Sequence, residues 1–468
     1  MKRTKIVCSI GPASNNYETY KQLAEAGMNV SRVNFSHATM EERKIVEDLV
    51  KRVNEEGYNI GLLFDTKGPE FRNGLVENGE ITLEAGKTIR IVKENVIGNT
   101  EKFSVNHPSA IKNLNIGDIV LLVNGLIKLE VISVEEDGVT CKIFNGGTLG
   151  NHKSMSVPGV KLDIPFISEV DREDIIYACE HNGDYLALSF VSSKEDVLEA
   201  RKILKEHNRE DMKIISKIES ITGINNLDEI IKESDGIMVA RGDLGVEVPM
   251  EMLPIYQKDI IHKCREKGKA CIVATEMLVS MKKSIRPTRA EVSDVANAVF
   301  NGTDAVMLSD ETTIGNYPIE TVEIMSRICE NAEKYYNYDK IFNVTWESNI
   351  TATIAKSVIT ASNEINAKAI VAATLSGKTA RKISNLKPKV PILATVPTKK
   401  VATSLALNYA IYPIVVNEYN STDEVIKDGV EKAKDFLDLQ KGDKIIITGG
   451  FPNTGIKATN FMKIEEIQ

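Results

Sequence analysis

Eight apolar runs in the first part of the chain share one shape: Lys5–Ile10, Val30–Phe35, Ile60–Phe64, Tyr185–Val191, Lys213–Glu219, Gly236–Gly242, Ala270–Thr275 and Ala305–Ser309. Each is short, nearly continuous and rich in Val and Ile. That pattern predicts a strand covered on both faces, not one with a wet side. Between most of them lie helix-like stretches, over Tyr17–Ala26, Met40–Asn54, Ser168–His181, Lys194–Glu206 and Met252–Lys267. Strand–helix alternation repeated eight times predicts an α/β fold built on a (β/α)8 TIM barrel.

One interval is too long for this rhythm. From about Lys67 to Val160 the chain shows short alternating pieces, such as Ile89–Val92, Ile119–Val123 and Leu129–Val134, separated by Gly, Asn and Asp turns. That texture predicts a small all-β domain inserted after the third strand. After about Asn337 the pattern changes again. Strand-like Ala369–Thr374, Pro391–Val396, Ile411–Val416 and Lys444–Thr448 alternate with helix-like Asn349–Ile365, Thr379–Asn385, Lys399–Asn408 and Ser421–Leu437. This is a second α/β unit, read as an open sheet with helices on its faces. The expected division is 1–67 with 161–337 for the barrel, 68–160 for an inserted β-barrel lid, and 338–468 for the C-terminal unit.

Composition narrows the field. The 468 residues carry 58 Lys and Arg against 66 Asp and Glu, a net charge of -8. An acidic balance argues against a partner held by bulk charge, so no nucleic acid is expected. No run of apolar residues is long enough to span a membrane, and the N-terminus lacks the features of a signal peptide. The six cysteines are scattered without a CxxC pair. That suits free thiols in a reducing cytoplasm, not a disulfide frame or a zinc site.

In a barrel of this kind, chemistry gathers at the C-terminal ends of the strands. The second run ends Arg32-Val33-Asn34-Phe35-Ser36-His37, and the third leads into Asp65-Thr66-Lys67 and then Glu70 and Arg72. The fifth carries Lys217 and Glu219, and the sixth ends Arg241-Gly242-Asp243. The seventh ends Thr275-Glu276, and the eighth Ser309-Asp310-Glu311. One polar strand end means little, because loops are polar; so many delivered to one rim predict a site. Lys217 and Glu219 are two apart on one strand and share a face. Asp243, arriving from the next strand, can stand beside Glu219. Two carboxylates held together need a cation, and hard oxygen ligands with room for substrate oxygens suit Mg2+. Lys217 and Arg32 suit an anionic, phosphorylated substrate.

Asn34, Ser36, Asp65 and Thr66 form a second set with one formal charge and several neutral oxygens. It fits a weakly held monovalent cation, or plain hydrogen bonding between strand ends, which spacing alone favours. Gly11-Pro12-Ala13-Ser14 reads as a turn before a helix cap. Thr374, Ser376, Gly377, Lys378 and Thr379 stand between a strand and a helix, either as a phosphate cradle or as an ordinary turn. The loop lacks the first Gly of a Walker A motif.

The same residues carry a resemblance. KIVCSIGPAS (Lys5–Ser14), VNFSH (Val33–His37), DTKGPE (Asp65–Glu70), SKIE (Ser216–Glu219), IMVARGDLGV (Ile237–Val246), RPTRAEVSDVANA (Arg286–Ala298) and DAVMLS (Asp304–Ser309) together resemble pyruvate kinase. The resemblance runs in order along the whole chain. It implies transfer of the phosphoryl group of phosphoenolpyruvate to ADP, giving pyruvate and ATP in glycolysis. Arg32, Lys217, Gly242, Asp243 and Thr275 would hold phosphoenolpyruvate, with Arg32, Lys217, Thr275 and Ser309 in catalysis. Glu219 and Asp243 would bind Mg2+ (or Mn2+). Asn34, Ser36, Asp65 and Thr66 would bind K+. Asn34, His37, Arg72 and Lys153 would face the nucleotide, with Lys153 brought by the inserted domain acting as a lid. Thr374, Ser376, Gly377, Lys378 and Thr379 would hold the phosphate of an effector, with the loop Gly449–Gly455 closing over it. A homotetramer is implied as well.

The sequence departs from the family pattern in places. Glu276 stands where an amide is usual, Asp310 and Ser154 where Gly is usual, Thr222 where Glu is common, and Ser284-Ile285 where Asn-Pro is frequent before Arg286. Glu276 and Asp310 add acid next to the expected proton relay. Two other readings of the barrel remain: an aldolase using Lys217 as a Schiff base, and a non-catalytic sugar-phosphate sensor.

Overall fold

The computed structural model describes residues 1–338, 349–450 and 459–468. Eight parallel strands close into a barrel: Lys5–Ser9, Val30–Asn34, Gly61–Asp65, Tyr185–Leu188, Lys213–Ile218, Gly236–Ala240, Ala270–Ala274 and Ala305–Leu308. All eight predicted strands form, in chain order around the ring. Most stop a little short of their apolar run, and the residues left over become the rim. The fourth shows this best: it ends at Leu188, and Ser189–Val191 turn away.

The outer helices begin where side-chain caps dictate. Thr39, Ser168 and Thr288 each form a reciprocal capping box, with Glu42, Asp171 and Glu291 respectively. The first helix, Tyr17–Ala26, is capped by Asn16, not by Ser14. The Ser14 hydroxyl instead donates to Thr312 O at 2.7 Å and ties the first barrel loop to the last.

The chain leaves the barrel after the third strand and returns at the helix Glu169–Glu180. In between, a six-stranded sheet and a two-stranded pair enclose a separate core around Ile91, Phe103, Leu129 and Val139. The outgoing and returning chains are stitched together beside the barrel mouth. Arg72 and Ser154 form an antiparallel bridge, and Asn73 Oδ1 accepts from the Lys153 amide at 2.7 Å.

The C-terminal unit is a five-stranded sheet in the order Ile411–Val415, Ile392–Val396, Ala369–Ala373, Lys444–Gly449 and Phe461–Glu466. The last strand is antiparallel and escaped the sequence reading, because its exposed residues form no apolar run. The helix expected over Lys399–Asn408 ends at Thr403. Beyond it, Ala406 and Leu407 are buried against the barrel interior, packing with Tyr185. The Tyr185 hydroxyl donates to Thr403 O at 3.1 Å, and Lys387 Nζ meets Asp304 Oδ1 at 2.7 Å with both side chains buried. The C-terminal unit therefore closes the barrel floor and leaves the opposite mouth to the inserted domain. Among the described residues no helix is long and apolar enough to cross a membrane, and all six cysteines are buried and free.

Candidate active site

The charged centre is built from the second, third and fifth strands. Lys217 projects from the fifth strand, and its Nζ lies 3.1 Å from Asp65 Oδ1 and 3.1 Å from Glu219 Oε1. Asp65 ends the third strand, and its other oxygen accepts from Arg32 Nε at 2.7 Å. Arg32 Nη1 also donates to Ser9 Oγ at 2.7 Å. All four charged residues are at most 9% exposed. Charges this deep persist only when paired.

Burial pushes each carboxyl up, and the neighbours decide the outcome. Asp65 stands between Lys217 and Arg32, which outweigh burial and hold it below the ordinary carboxylate range. At Glu219 burial wins over the attraction of Lys217, Asp243 adds repulsion, and the carboxyl rises to about 7. Burial opposes the charge on Lys217, but Asp65 and Glu219 outweigh it and lift its pKa above the ordinary lysine value. A charged Lys217 is no Schiff-base nucleophile.

The seventh strand supplies Thr275 on a backbone with φ 67°, followed by Glu276 at φ 54°. Two non-glycine residues in the left-handed region need support, and Arg241 provides it. Its buried guanidinium donates to Thr275 O at 2.6 Å and Glu276 O at 3.1 Å, and meets Asp294 at 2.6 Å. The Thr275 hydroxyl is thereby held to accept from Gly242 N at 2.7 Å and to donate to Ala274 O at 2.6 Å. Gly242 and Asp243 lie in the first turn of a short helix, Arg241–Glu247, not on the sixth strand as expected. Ser309 follows the eighth strand, and its amide is fixed by buried Glu311 at 2.8 Å. Asp310 does not add free acid there: it pairs with Lys282 at 2.7 Å, while Glu276 is exposed.

The inserted domain and the barrel mouth face each other across a cleft of about 500 Å3. Arg72, Lys153 and Ser154 line it from the inserted domain, and Phe190, Ser220, Thr222 and Asp243 from the barrel. A second hollow of about 350 Å3 brings together Ser36, His37, Glu70 and Arg72. Glu70 grips Arg72 with both oxygens, at 2.7 and 3.0 Å, and so aims its guanidinium. Of the four expected nucleotide residues, Asn34 lines neither hollow; its Oδ1 accepts from Ser36 N at 3.1 Å.

Two donor sets are available for cations. Asp243 lines the cleft and its charge repels that of buried Glu219, and no group of three or more His, Cys, Asp or Glu suited to a metal occurs among the described residues. That fits Mg2+, which keeps positions for water and substrate oxygens, and Glu219, raised towards neutrality by burial although Lys217 pairs with it, has reason to take a further cation. Asn34 and Asp65 are direct partners in the parallel register, with Ser36 and Thr66 just beyond. A cation there would share Asp65 with Arg32 and Lys217, which suits weak monovalent binding.

The structure adds residues that the strand-end reading missed. Ser189 Oγ lies 2.7 Å from Lys217 Nζ, and the Phe190 amide donates to Glu219 Oε2 at 2.6 Å from a backbone with φ 56°. The signal was hidden because the apolar run continues past them to Val191. In the C-terminal unit, Ser376 and Lys378 are exposed at the start of the helix Lys378–Ser384, and Gly377 caps it at φ 76°. Buried Thr379 bonds Thr459 at 2.7 Å. Most of the second loop, from Phe451 to Gly455, lies outside the described residues.

Comparison with known proteins agrees along the chain. A family model described as pyruvate kinase, barrel domain, matches residues 1–322, and one described as pyruvate kinase, alpha/beta domain, matches 352–465. A pyruvate kinase of Bacillus licheniformis is 44% identical over 470 residues, covering 99% of this chain and 80% of the relative. One from Clostridium acetobutylicum is 41% identical over 473 residues and is covered completely, as is this chain. The crystal structure of a pyruvate kinase from Cryptosporidium parvum matches with a TM-score of 0.95 at 38% identity, over 99% of this chain and 96% of that one.

Proposed function

Given that the chain belongs to the pyruvate kinase family, a family of phosphotransferases that pass the phosphoryl group of phosphoenolpyruvate to ADP in glycolysis, we propose that its barrel mouth carries out this reaction with the following division of labour. The observation that carries the reading is Lys217, buried and charged, set between Asp65 and Glu219 and close to Arg32 through their shared carboxylate.

Arg32 and Lys217 bind the phosphoryl oxygens, and Gly242, Asp243 and Thr275 position the rest of phosphoenolpyruvate. Glu219 and Asp243 would hold Mg2+ (or Mn2+), and Asn34, Ser36, Asp65 and Thr66 would hold K+; both ions would supply further positive charge for the transferring group. His37, Arg72 and Lys153, with Asn34 behind them, serve the nucleotide. As the bond from phosphorus to the enol oxygen breaks, one to the terminal phosphate oxygen of ADP forms. The charge spread over the transferring group needs positive neighbours more than covalent help. Lys217 then holds the enolate while its carbon gains a proton from the Thr275 and Ser309 side. The Thr275 hydroxyl proton is already committed to Ala274 O, so its part is to position that proton's carrier.

The segment 68–160 acts as a lid that excludes water, 1–67 with 161–337 as the catalytic body, and 338–468 as the unit for effector binding and assembly. Exposed Ile255, Val292 and Phe300 on two adjoining barrel helices support a homotetramer, and buried free thiols suit the cytoplasm. The deciding experiment is a coupled assay of pyruvate formation from phosphoenolpyruvate and ADP, with and without Mg2+ and K+. No pyruvate under any of these conditions would sink the reading.

A further inference from the structure

We propose that Ser189 is a positioning residue that ties the monovalent-cation pocket to Lys217. Its strand stands between those of Asp65 and Lys217, so Ser189 emerges at the point where the two sets meet. The side chain is 3% exposed and fully bonded. Its Oγ accepts from Lys217 Nζ at 2.7 Å. An ammonium only donates, so the serine proton is free to go elsewhere. It goes to Thr66 O at 2.7 Å, with Asp65 Oδ1 further off at 3.4 Å. The Ser189 amide donates to the remaining Thr66 oxygen, Oγ1, at 3.2 Å.

Ser189 therefore touches both oxygens that Thr66 can offer a cation. Whichever of them K+ takes, that oxygen is shared with Ser189, and the same residue fixes the ammonium of Lys217. The contact is built tightly. Gly68, at φ 74°, lies so close that a Cβ there would come within 2.8 Å of Ser189 Cβ. The loop after the third strand thus packs directly against Ser189. A cation that orders Thr66 would order the hydroxyl, and through it Lys217, before the phosphoryl group arrives. This goes beyond the active-site reading but rests on the assignment of K+ to Asn34, Ser36, Asp65 and Thr66.

The test measures binding as well as rate. Calorimetry gives the dissociation constant of phosphoenolpyruvate, with Mn2+ present, in KCl and in tetramethylammonium chloride. In the wild type, K+ should tighten phosphoenolpyruvate by about fivefold or more, a usual size for coupling between two sites. In Ser189→Ala that factor should fall to about 2 or less, and kcat should drop roughly 10–10²-fold, as for a lost hydrogen bond to a charged group, with KM moving much less. If the alanine variant does not fold, Ser189→Cys keeps the size with a much weaker hydrogen-bonding group and should behave alike. A wild type without any K+ effect overturns the cation assignment and the link with it. A wild-type effect that survives undiminished in either variant overturns the link alone.

Discussion

Lys217 Nζ and Glu219 Oε1 meet at 3.1 Å in the barrel mouth, although a cation and a carboxylate this deep could each have found a partner elsewhere. Asp65 already gives Lys217 one carboxylate, at the same distance. The ammonium is thus held in place and kept charged, ready for a phosphoryl group. Replacing it by an isosteric apolar chain, Lys217→Met, should lower kcat by at least about 10²–10³, the loss expected for one transition-state stabiliser. Phosphoenolpyruvate binding should weaken less than turnover, since Arg32 remains. Steady-state kinetics beside a direct binding titration separates the two, and near wild-type turnover would sink the charge argument.

Glu219 makes the proposed metal site sensitive to pH. Its carboxyl, raised by burial to about 7 in the metal-free protein, carries a proton that a divalent ion must displace. Mn2+ affinity should therefore rise with pH through neutrality and level off above it. Calorimetry in buffers of different ionisation heat should show proton release near pH 7, absent in Glu219→Gln. The effect on stability has a definite sign. The folded pKa lies above the unfolded value, so this group's stabilisation is complete below about pH 4.3 and is lost as pH rises through 7. Mn2+ should thus raise the melting temperature more at pH 8 than at pH 6; the reverse order would contradict the assignment.

Glu70 bears on the K+ requirement. The family resemblance associates Glu at this position with dependence on K+, and Lys with independence, a fixed ammonium standing in for the ion. Activity should accordingly be low in tetramethylammonium buffer and restored by K+. Glu70→Lys should relieve that dependence. It should also raise the KM for ADP, because Glu70 is the residue that grips Arg72 at 2.7 and 3.0 Å. Full activity of the wild type without K+ would refute the assignment.

The barrel was legible because buried parallel strands need continuous apolar runs, and such runs recur eight times before Asp310. The same signal misled at the rim. In the fourth run, Phe190 and Val191 are as apolar as a strand, yet the chain has already turned, with Phe190 at φ 56°. Ser189 was hidden there in consequence. Arg241 was visible at a strand end, but its work is done through backbone carbonyls, which composition does not encode. The edge strand Phe461–Glu466 escaped for the opposite reason: it carries too little apolar character to be noticed, and its partner Lys444–Gly449 supplies the order. Asp310 looked like added acid beside the relay until Lys282, distant in sequence, was found against it.

The barrel floor offers a stability test far from the chemistry. Lys387 and Asp304 are 1% and 2% exposed and pair at 2.7 Å across the junction with the C-terminal unit. Lys387→Met leaves a buried carboxylate unpaired and should cost roughly 3–5 kcal/mol of local stability. The double variant with Asp304→Asn removes both charges and should recover much of the loss. Calorimetric melting of the wild type, both single variants and the double variant gives the coupling. Simple additivity would mean that the pair does not matter.

The chemistry of the loop proposed to bind an effector points to a modest ligand. Ser376 and Lys378 face solvent, Gly377 opens the turn at φ 76°, and buried Thr379 is occupied by Thr459. Lys378 is thus the only charged side chain from Thr374 to Thr379, and exposed Leu375 beside it adds no charge. One cation and a few hydroxyl and amide donors suit a single phosphate better than two. A sugar monophosphate or AMP should therefore lower the phosphoenolpyruvate concentration for half-maximal rate, while fructose 1,6-bisphosphate should do so less. By linkage, phosphoenolpyruvate should tighten the effector by the same factor. Rate titrations with each candidate, in the wild type and in Lys378→Ala, decide the matter. Activation that persists unchanged in Lys378→Ala would move the effector to another part of the molecule.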